Sequence, residues 1–412
     1  MKRLLLPFLI GIIAMLTSCN NQPSQAGSAD SSWNTPGTFG YDLHFLQRHD
    51  SVIVLHQGDA KLIVSPKYQA KVFTSTNGGD AGPSFGWIHY KAFDGPLDPH
   101  MNAYGGENRL WLGPEGGKFA LFFPQGAKME FTNWKTPAAF DSEPWQVTRQ
   151  TDRLVSFHKD MQLVNYAGTK IVLSVNRTVE LMAGKDIRDN LPPAARDSVQ
   201  VIGYKTINTL TNTGPQPWTD KIGASCLWLL DMFPPSPSTV IAIPYQQQPS
   251  GKTGIGPALT TDYFGPIPPD RVKTDSGVVF FRADGRQRGK LGIASAHAGR
   301  VAGSYDPARH IFTLIRFDVD NEGRYCNQEW NITKPPFSGD AVNAYNDGPL
   351  ADGSQMGPFY ELESVSPAAF LAPGGSLVHY HSVYHFTGPE AALDAISRAL
   401  LGVSLEAVKK AF

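Results

Sequence analysis

Charged residues are sparse in this chain, and the two signs almost cancel. Its 412 residues include 36 Lys and Arg against 37 Asp and Glu, which leaves a formal net charge of −1 at pH 7. A surface that binds nucleic acid needs a cluster of basic residues, and this balance favours none. The composition therefore argues against a nucleic-acid partner.

Long apolar runs are also few. The longest lies near the N-terminus, where Lys2 and Arg3 precede an apolar stretch from Leu4 to Leu16. This stretch is shorter than the roughly 20 apolar residues that a membrane-spanning helix needs. A short positive start, a short apolar stretch and small residues after it are typical of a secretory signal peptide. No later segment is apolar enough to span a membrane.

Cysteine is scarce as well, and the first of the three ends the apolar stretch in Leu16-Thr17-Ser18-Cys19. Lipoprotein signals place here the cysteine that becomes the acylated N-terminus, and several acyl chains anchor a protein stably. We expect residues 1–19 to be a signal peptide and Cys19 to be lipidated. In similar Gram-negative lipoproteins an Asp at the next position favours the inner membrane, so Asn20 favours a lipid anchor in the outer membrane, facing the periplasm.

The other two cysteines, Cys226 and Cys326, leave two alternatives open. They would pair in an oxidising periplasm, or they would remain buried thiols, since free Cys behaves as a small hydrophobe. Their spacing does not decide between the two.

Residues 20–36 are small and polar and contain too little apolar matter to fold alone. We expect them to be a disordered, flexible tether. The rest of the chain is long enough for one large all-β domain or two smaller ones.

Helical patterns are absent from most of the chain, whereas Gly and Pro are abundant, with 40 and 32 copies. Short runs with apolar and polar residues in alternation recur between Gly- and Pro-rich turns, which is typical of a β-sandwich or barrel. The predicted strands include residues 52–55, 60–64, 119–123, 154–158, 171–175, 278–282, 310–318 and 376–386.

The tail from residue 389 to 412 has a different pattern. Ala392, Ile396 and Leu400 share one face at helical spacing, which predicts a short helix packed over a sheet edge. A second exception is the Pro- and Gly-rich stretch from 246 to 269, which is long for a loop in a compact domain. It is a candidate lid over a cleft.

Polar and aromatic side chains concentrate between His100 and Glu115. Gly105 and Gly106 would let the backbone turn tightly and approach a ligand. An acid, an amide, a guanidinium and an indole follow, which is the mixture that binds sugars through hydroxyl groups and apolar C–H patches. These four are Glu107, Asn108, Arg109 and Trp111. A structured turn with its own salt bridge is an equal alternative.

A second concentration lies at residues 359–364, which the pattern predicts to be a strand. Phe359, Glu361 and Glu363 would share one face, with the Cα atoms of the two glutamates roughly 6–7 Å apart. A buried Glu in such a pair titrates at high pH, which suits a general acid or base. The alternative is two solvated carboxylates on an outer sheet face.

Together these segments resemble the galactose mutarotase-like (aldose 1-epimerase-like) superfamily, in an exported lipoprotein branch. Tyr104-Gly105-Gly106 with Trp111 is similar to the early "H-G-G … W" element, and residues 207–214 are similar to the central "N-x-T-N-H" strand. The terminal "L-E-x-Q … P-G … Y-x-F" element has its counterparts in Leu362-Glu363-Ser364, Pro373-Gly374 and Tyr384-His385-Phe386. The resemblance implies an all-β, galactose mutarotase-like β-supersandwich over residues 37–388, with a short C-terminal helix at 389–412.

The resemblance also implies roles for individual residues. Glu363 falls where the family places its general base, and Glu361 is its candidate catalytic partner. The candidate carbohydrate-binding residues are His100, Tyr104, Glu107, Arg109, Trp111, Asn208 and Asn212. We expect Glu107, Arg109, Trp111, Asn212, Glu361 and Glu363 to line one concave surface.

Two family histidines have no counterpart in this sequence. Thr213 stands where the family has its general acid, and Tyr104 stands where it has a sugar-binding His. A Thr cannot donate a proton near neutral pH as an imidazole can, so ordinary mutarotation is expected to be weak or absent. His89 or His100 would be substitutes. A carbohydrate epimerase-like enzyme, a non-catalytic glycan-binding lipoprotein and a structural envelope protein all stay open.

No cofactor and no metal are expected. His379, His381 and His385 lie on one predicted strand, where two histidines at i and i+2 would be able to share a metal ion. Ordinary strand histidines are the favoured alternative.

Overall fold

The structure of the chain, a computed structural model, describes residues 32–249, 256–350 and 352–412. The predicted signal peptide, its lipidated Cys19 and most of the predicted tether lie outside these residues. In the described part of the tether, Ser32–Asn34 forms a turn of 3-10 helix, which the tether prediction did not include.

The described chain forms nineteen strands in three antiparallel sheets, together with four α-helices. The strands are β1 (Ile53–Gln57), β2 (Ala60–Ser65), β3 (Lys71–Thr76), β4 (Arg109–Gly113), β5 (Gln146–Gln150), β6 (Leu154–Val164), β7 (Lys170–Leu181), β8 (Gln200–Asn212), β9 (Cys226–Phe233), β10 (Val240–Pro244), β11 (Leu259–Thr260), β12 (Val272–Asp275), β13 (Val278–Arg282), β14 (Gly289–Ala294), β15 (Val301–Asp306), β16 (Ile311–Phe317), β17 (Asp340–Asn346), β18 (Tyr360–Val365) and β19 (Ser376–Thr387). The helices are α1 (Phe39–Gln47), α2 (Gly184–Asp189), α3 (Glu390–Leu400) and α4 (Leu405–Lys410).

Two smaller sheets pack against one large sheet. The large sheet has ten strands in the order β12-β13-β10-β15-β16-β19-β8-β7-β6-β5, and the smaller sheets have the orders β11-β14-β17-β18-β9-β4 and β1-β2-β3. His381 on β19 hydrogen-bonds to Asp231 on β9, and Arg177 on β7 donates to the Ala70 carbonyl beside β3. The all-β sandwich that the sequence predicts is confirmed.

Apolar side chains from the facing sheets fill the main core between the layers. Leu229 on β9, Leu362 on β18, and Val175 and Leu210 on the large sheet are fully buried there. Each such side chain contributes about 1.5–3 kcal/mol when it leaves water. All eight residues of β9 are buried, so both faces of this strand are covered.

Seven of the eight predicted runs coincide with strands, and residues 119–123 do not. These five residues are all buried, yet their backbone pairs with no strand. The amide of Leu121 bonds to the Pro114 carbonyl, and the amide of Tyr166 bonds to the Ala120 carbonyl. The segment is apolar at every position and does not alternate, so its composition indicates burial and not a pleated strand.

The helices differ from the prediction in number and place. α1 and α2 were not predicted, because helices of nine and six residues show too few turns for a periodic pattern. The tail contains two helices instead of one, since the chain turns at Gly402 and the Ser404 hydroxyl caps α4 through the Ala407 amide. Both pack on the outer face of the ten-stranded sheet. Among the described helices, none has the length and apolarity to cross a membrane.

The remaining cysteines are buried free thiols in the main core. The Gln328 amide donates to Cys226 Sγ at 3.6 Å, and the Cys326 thiol donates to the Ala224 carbonyl at 3.5 Å. A hydrogen bond with Cys226 and burial raise the pKa of Cys326, which keeps it protonated. Of the two alternatives from the sequence, the structure has the reduced pair.

The tight turn before β4 makes a direct prediction about stability. Gly105 has a φ of +81°, and an added Cβ would lie 2.3 Å from the Trp87 carbonyl oxygen. Gly105→Ala should therefore cost about 1–3 kcal/mol in backbone strain and a similar amount from the clash, as measured by urea unfolding. Gly374→Ala is the matched control, because Gly374 has a φ of +77° with nothing within 4 Å. Equal losses for both variants would contradict the close approach.

Candidate functional site

One face of the six-stranded sheet opens to a cleft, and strand alternation selects the side chains on it. On β18, Glu361 and Glu363 lie on the cleft side, whereas Ser364 lies between the sheets and contacts His379 and His381. The prediction that the two glutamates share a face of one strand is confirmed.

The strand register aligns these side chains in two adjacent rows across the sheet. The first row crosses β4, β9, β18 and β17 with Arg109, Leu230, Glu363 and Asn343. The second crosses β9, β18, β17 and β14 with Met232, Glu361, Tyr345 and Lys290. Each row contains one cation and one glutamate, and each cation pairs with the glutamate of the other row. The ion pairs, Arg109 with Glu361 and Lys290 with Glu363, therefore cross the sheet diagonally.

The cleft has a volume of about 660 Å³, and it joins a recess of about 130 Å³ against the sheet. Clefts of this size are usual for small-molecule sites. Both parts are lined by Met101, Glu115, Phe131, Trp134, Phe264, Arg288, Lys290, Trp330, Tyr345 and Met356. The recess adds Arg109, Trp111, Trp228, Leu230, Phe359 and Glu361.

Glu361 forms an ion pair with Arg109 in the recess. Arg109 Nη2 lies 2.5 Å from Glu361 Oε1, and both side chains are only 7% exposed. The Arg109 guanidinium also lies 4.8 Å from the centre of the Trp111 ring. Burial raises the pKa of Glu361 to about 7, more than Arg109 lowers it. At neutral pH this carboxyl is therefore able both to accept and to donate a proton.

Glu363 lies beneath Lys290 and is fully buried. Its Oε2 accepts hydrogen bonds from Lys290 Nζ at 2.9 Å and from Trp228 Nε1 at 2.8 Å, while its Oε1 has no partner in the described chain. The Lys290 ammonium also lies 4.5 Å from the Trp228 ring. Glu363 thus fixes the position of Lys290. Lys290 lines the cleft, whereas Glu363 does not.

A third acid, Glu115, faces the same space. Its Oε1 accepts hydrogen bonds from Trp134 Nε1 at 3.0 Å and Trp330 Nε1 at 3.1 Å. Burial raises the pKa of Glu115, and Lys290 opposes that shift. The carboxylate therefore orients two indole rings at the cleft wall.

Those indole rings belong to a stack of nearly parallel aromatic rings. The ring centres of Trp134 and Trp330 are 6.2 Å apart with their planes at 26°, and those of Phe131 and Trp134 are 6.0 Å apart at 19°. Phe131 is 62% exposed. Flat apolar rings with exposed faces at a cleft are suited to cover the C–H face of a ligand.

The loop that the sequence marked as a lid contributes part of the cleft wall. Its described residues include Tyr263, whose hydroxyl donates to Asp340 at 2.6 Å and accepts from Asn343 at 3.3 Å. Phe264 lies beside the cleft as well, with the Arg288 guanidinium 3.8 Å from its ring centre.

The structure brings several predicted residues to this site. Arg109, Trp111 and Glu361 line the recess, and Glu363 lies directly beneath its lysine. His100 borders the cleft outside the recess, and its Nδ1 lies 2.6 Å from the Trp134 carbonyl oxygen.

Glu107 and Tyr104 lie elsewhere, and the predicted shared surface is wrong for Glu107. Its carboxylate is buried and contacts Ser75 Oγ at 2.7 Å and His385 Nε2 at 3.0 Å. Asn108 pairs with Val72 on β3, and β4 begins only at Arg109. The alternation of side chains along β4 therefore does not extend back to Glu107. Tyr104 packs in a separate aromatic cluster, 4.6 Å from the ring of Tyr68.

Asn208 and Asn212 are also misplaced by the prediction, because β8 belongs to the opposite sheet. Asn208 lies between the layers and accepts a hydrogen bond from buried Arg177 at 2.8 Å. Asn212 donates to the carbonyls of Gln216 and Leu371 at a strand end. Both amides satisfy internal polar groups and do not reach the cleft.

Other residues of the site were not predicted. Lys290 had a detectable signal, since it is a lone charge in the otherwise apolar strand β14, and Glu115 ended the dense segment that begins at His100. Trp228, Trp330 and Tyr345 gave no local signal. Long-range strand register brings Trp228 and Tyr345 to the recess, and a distant loop brings Trp330.

The strand histidines have ordinary internal partners. His381 Nε2 lies 2.7 Å from Asp231 Oδ2, and His379 and His381 both contact the Ser364 hydroxyl. His385 contacts Thr313 in addition to its acid. In the described parts of the chain, no group of three or more His, Cys, Asp or Glu side chains is arranged to hold a metal ion.

A larger cavity, of about 810 Å³, lies on the outer face of the ten-stranded sheet beside α2 and α3. Its basic side chains Arg153, Arg300 and Arg316 are exposed. Arg109, Lys290 and Glu361 of the recess are buried, and buried acids with shifted pKa values are more often functional. The cleft is therefore the stronger candidate site.

Several solved structures are similar to this chain over most of its length. The Slr1438 protein of Synechocystis sp. PCC 6803 is 14% identical, covers 82% of this chain and 96% of its own, and has a TM-score of 0.48. A putative aldose 1-epimerase of Escherichia coli K12 is 16% identical, with 81% and 98% covered and a TM-score of 0.46. A galactose mutarotase-like protein of Lactobacillus casei ATCC 334 is 13% identical, with 81% and 100% covered and a TM-score of 0.47. Similarities this low carry no argument about activity.

Among curated proteins, none is significantly similar to this chain. Residues 37–412 match the model of one protein family, described as a family of unknown function (DUF6786).

Proposed function

The chain belongs to the DUF6786 family, a family of unknown function, and we propose that its cleft binds a carbohydrate. The observation that carries the proposal is the recess, where the buried Arg109–Glu361 pair lies among indole rings. Charged hydrogen-bonding groups bind the hydroxyls of a sugar, and flat rings cover its C–H faces. A purely structural role for the chain would not require such a recess.

Glu361 is the side chain we propose to exchange a proton with the bound sugar, as in an epimerase-like reaction. It lines the recess, and burial brings its pKa to about 7. The sequence resemblance to mutarotase-like proteins assigns Glu363 the position of their general base, but its carboxylate is covered by Lys290. We therefore propose that Glu363 positions Lys290, and that Glu361 is the acid–base group.

A non-catalytic glycan-binding protein is the second candidate. The observation that favours it is that both carboxylates form ion pairs, Glu361 with Arg109 and Glu363 with Lys290. Engaged acids of this kind suit a rigid binding surface as well as a catalytic one. Product analysis with any bound sugar separates the two candidates.

A glycan-array screen with the purified full chain, followed by calorimetric titration of each hit, tests carbohydrate binding. Phe131→Ala should weaken binding about 3- to 10-fold, because Phe131 is exposed at the cleft and stacking on an aromatic ring is worth roughly 0.5–1.5 kcal/mol. Tyr380→Ala is the matched control, since Tyr380 is exposed on β19, away from the cleft. Equal losses in the two variants, or no hit at all, would contradict the proposal.

We also propose that the protein is lipid-anchored in the outer membrane, facing the periplasm. The support is the sequence around Cys19 and the presence of Asn, and not Asp, at position 20. Mass analysis of the protein extracted from membranes should find a mature chain that begins at an acylated Cys19. An unmodified chain that begins at Met1 would contradict this.

A further inference from the structure

Arg288, immediately before β14, lines both the cleft and the recess. Two contacts hold its half-buried side chain. The guanidinium carbon lies 3.8 Å from the centre of the Phe264 ring, and Nε donates to the Tyr345 hydroxyl at 3.2 Å. The guanidinium stacks on Phe264 and its Nε is hydrogen-bonded, so its two terminal nitrogens are available to a ligand.

The charge of Arg288 is not neutralised by a direct ion pair. Arg109 and Lys290, the other cations of the recess, each pair with a buried glutamate. Within the described residues, Arg288 forms no salt bridge. Tyr345 lies between Arg288 and Asp347, and its hydroxyl donates to Asp347 at 2.6 Å. A half-buried cation without a carboxylate partner keeps its charge available to a ligand that supplies a negative charge.

From this geometry we infer that the carbohydrate is acidic and that Arg288 binds its carboxylate, an inference that rests on the proposed function. Two terminal guanidinium nitrogens match the two oxygens of a planar carboxylate. One unpaired cation also matches a single negative charge. A phosphate carries nearly two charges and would place the excess beside Glu115 and Asp347.

The acidic group would bind close to the proposed acid–base residue. Tyr345, which accepts the hydrogen bond from Arg288, is the register partner of Glu361 across β17 and β18. The site therefore favours an acidic sugar unit at the reacting position, and not only a charged group elsewhere on a longer glycan.

Calorimetric titration of the full chain with matched sugars tests the inference. Oligosaccharides of galacturonate and glucuronate are compared with those of galactose and glucose at pH 7, and hexose 6-phosphates serve as competitors. The acidic member of each pair should bind about 10- to 100-fold more tightly, as expected for charge-assisted hydrogen bonds. Arg288→Met should remove that preference and leave the affinity for the neutral member within about 2-fold.

Arg286→Met is the matched control, because Arg286 is exposed two residues away and does not line the cleft. It should keep the preference for the acidic sugar. Equal binding of acidic and neutral sugars, or tighter binding of a hexose 6-phosphate, would overturn the acidic-sugar inference while the proposed function stands. Absence of binding by every sugar in the panel would overturn both.

Discussion

Glu361→Gln should lower the rate of any proton-transfer reaction in the cleft by about 10²–10⁴-fold, the usual contribution of a general acid–base group. Gln has nearly the same shape and retains an oxygen that accepts from Arg109, so carbohydrate affinity should change by no more than about 3-fold. Product formation from the sugars that bind, followed by chromatography, measures the rate.

The pH dependence of that rate has a defined direction. The pKa of Glu361 is raised from 4.5 to about 7 by burial. If the carboxylate acts as a base, the rate should rise through about pH 7 and level off above it, and Glu361→Gln should remove this inflection. The folded chain holds this proton more tightly than the unfolded chain. The contribution of Glu361 to the free energy of unfolding should therefore decrease as the pH rises from 4.5 to about 7.

Glu329→Gln is the control for this experiment. Glu329 also borders the outer cleft, but it pairs with Lys334 and lies outside the recess. Its replacement should leave the rate and the pH profile unchanged. A Glu361→Gln variant with the full rate and the same inflection would exclude Glu361 as the acid–base group.

Lys290→Met should lower the free energy of unfolding by about 3–5 kcal/mol, because it leaves the fully buried Glu363 without its cation. Met fills the same space over Trp228, so the loss reports the charge more than the packing. The double variant Lys290→Met with Glu363→Leu should recover most of the loss, since an apolar pair does not carry an uncompensated charge. Urea unfolding of the three proteins measures these differences.

The Lys334–Glu329 pair is the matched control for the buried pair. Its side chains are 40% and 18% exposed, so solvent screens the charges and Lys334→Met should cost less than about 1 kcal/mol. If Lys290→Met cost no more than Lys334→Met, the buried ion pair would not be the element that holds this part of the recess.

Local alternation was enough to predict part of the site. Within β18 it placed Glu361 and Glu363 on one face, and within β4 it placed Arg109 and Trp111 together. It failed for Glu107, because parity has meaning only inside one strand and the chain changes partners between residues 108 and 109.

The rest of the site depends on pairings that no single segment encodes. Lys290 reaches Glu363 only because β14 and β18 both pair with β17, and Trp330 reaches Glu115 from a loop 215 residues away. The prediction that Asn208 binds a ligand failed because local sequence does not reveal an internal partner. A polar residue on a strand fits either a binding site or an internal partner, and here the partner is the buried Arg177.

The most direct test of the account is the structure of the full chain with an oligosaccharide that binds in solution. The account predicts a sugar unit in the recess, with a hydroxyl within hydrogen-bond distance of Glu361 and its C–H face against Phe131 or Trp330. A sugar bound in the outer cavity beside α2 and α3, with the recess unoccupied at saturation, would contradict it.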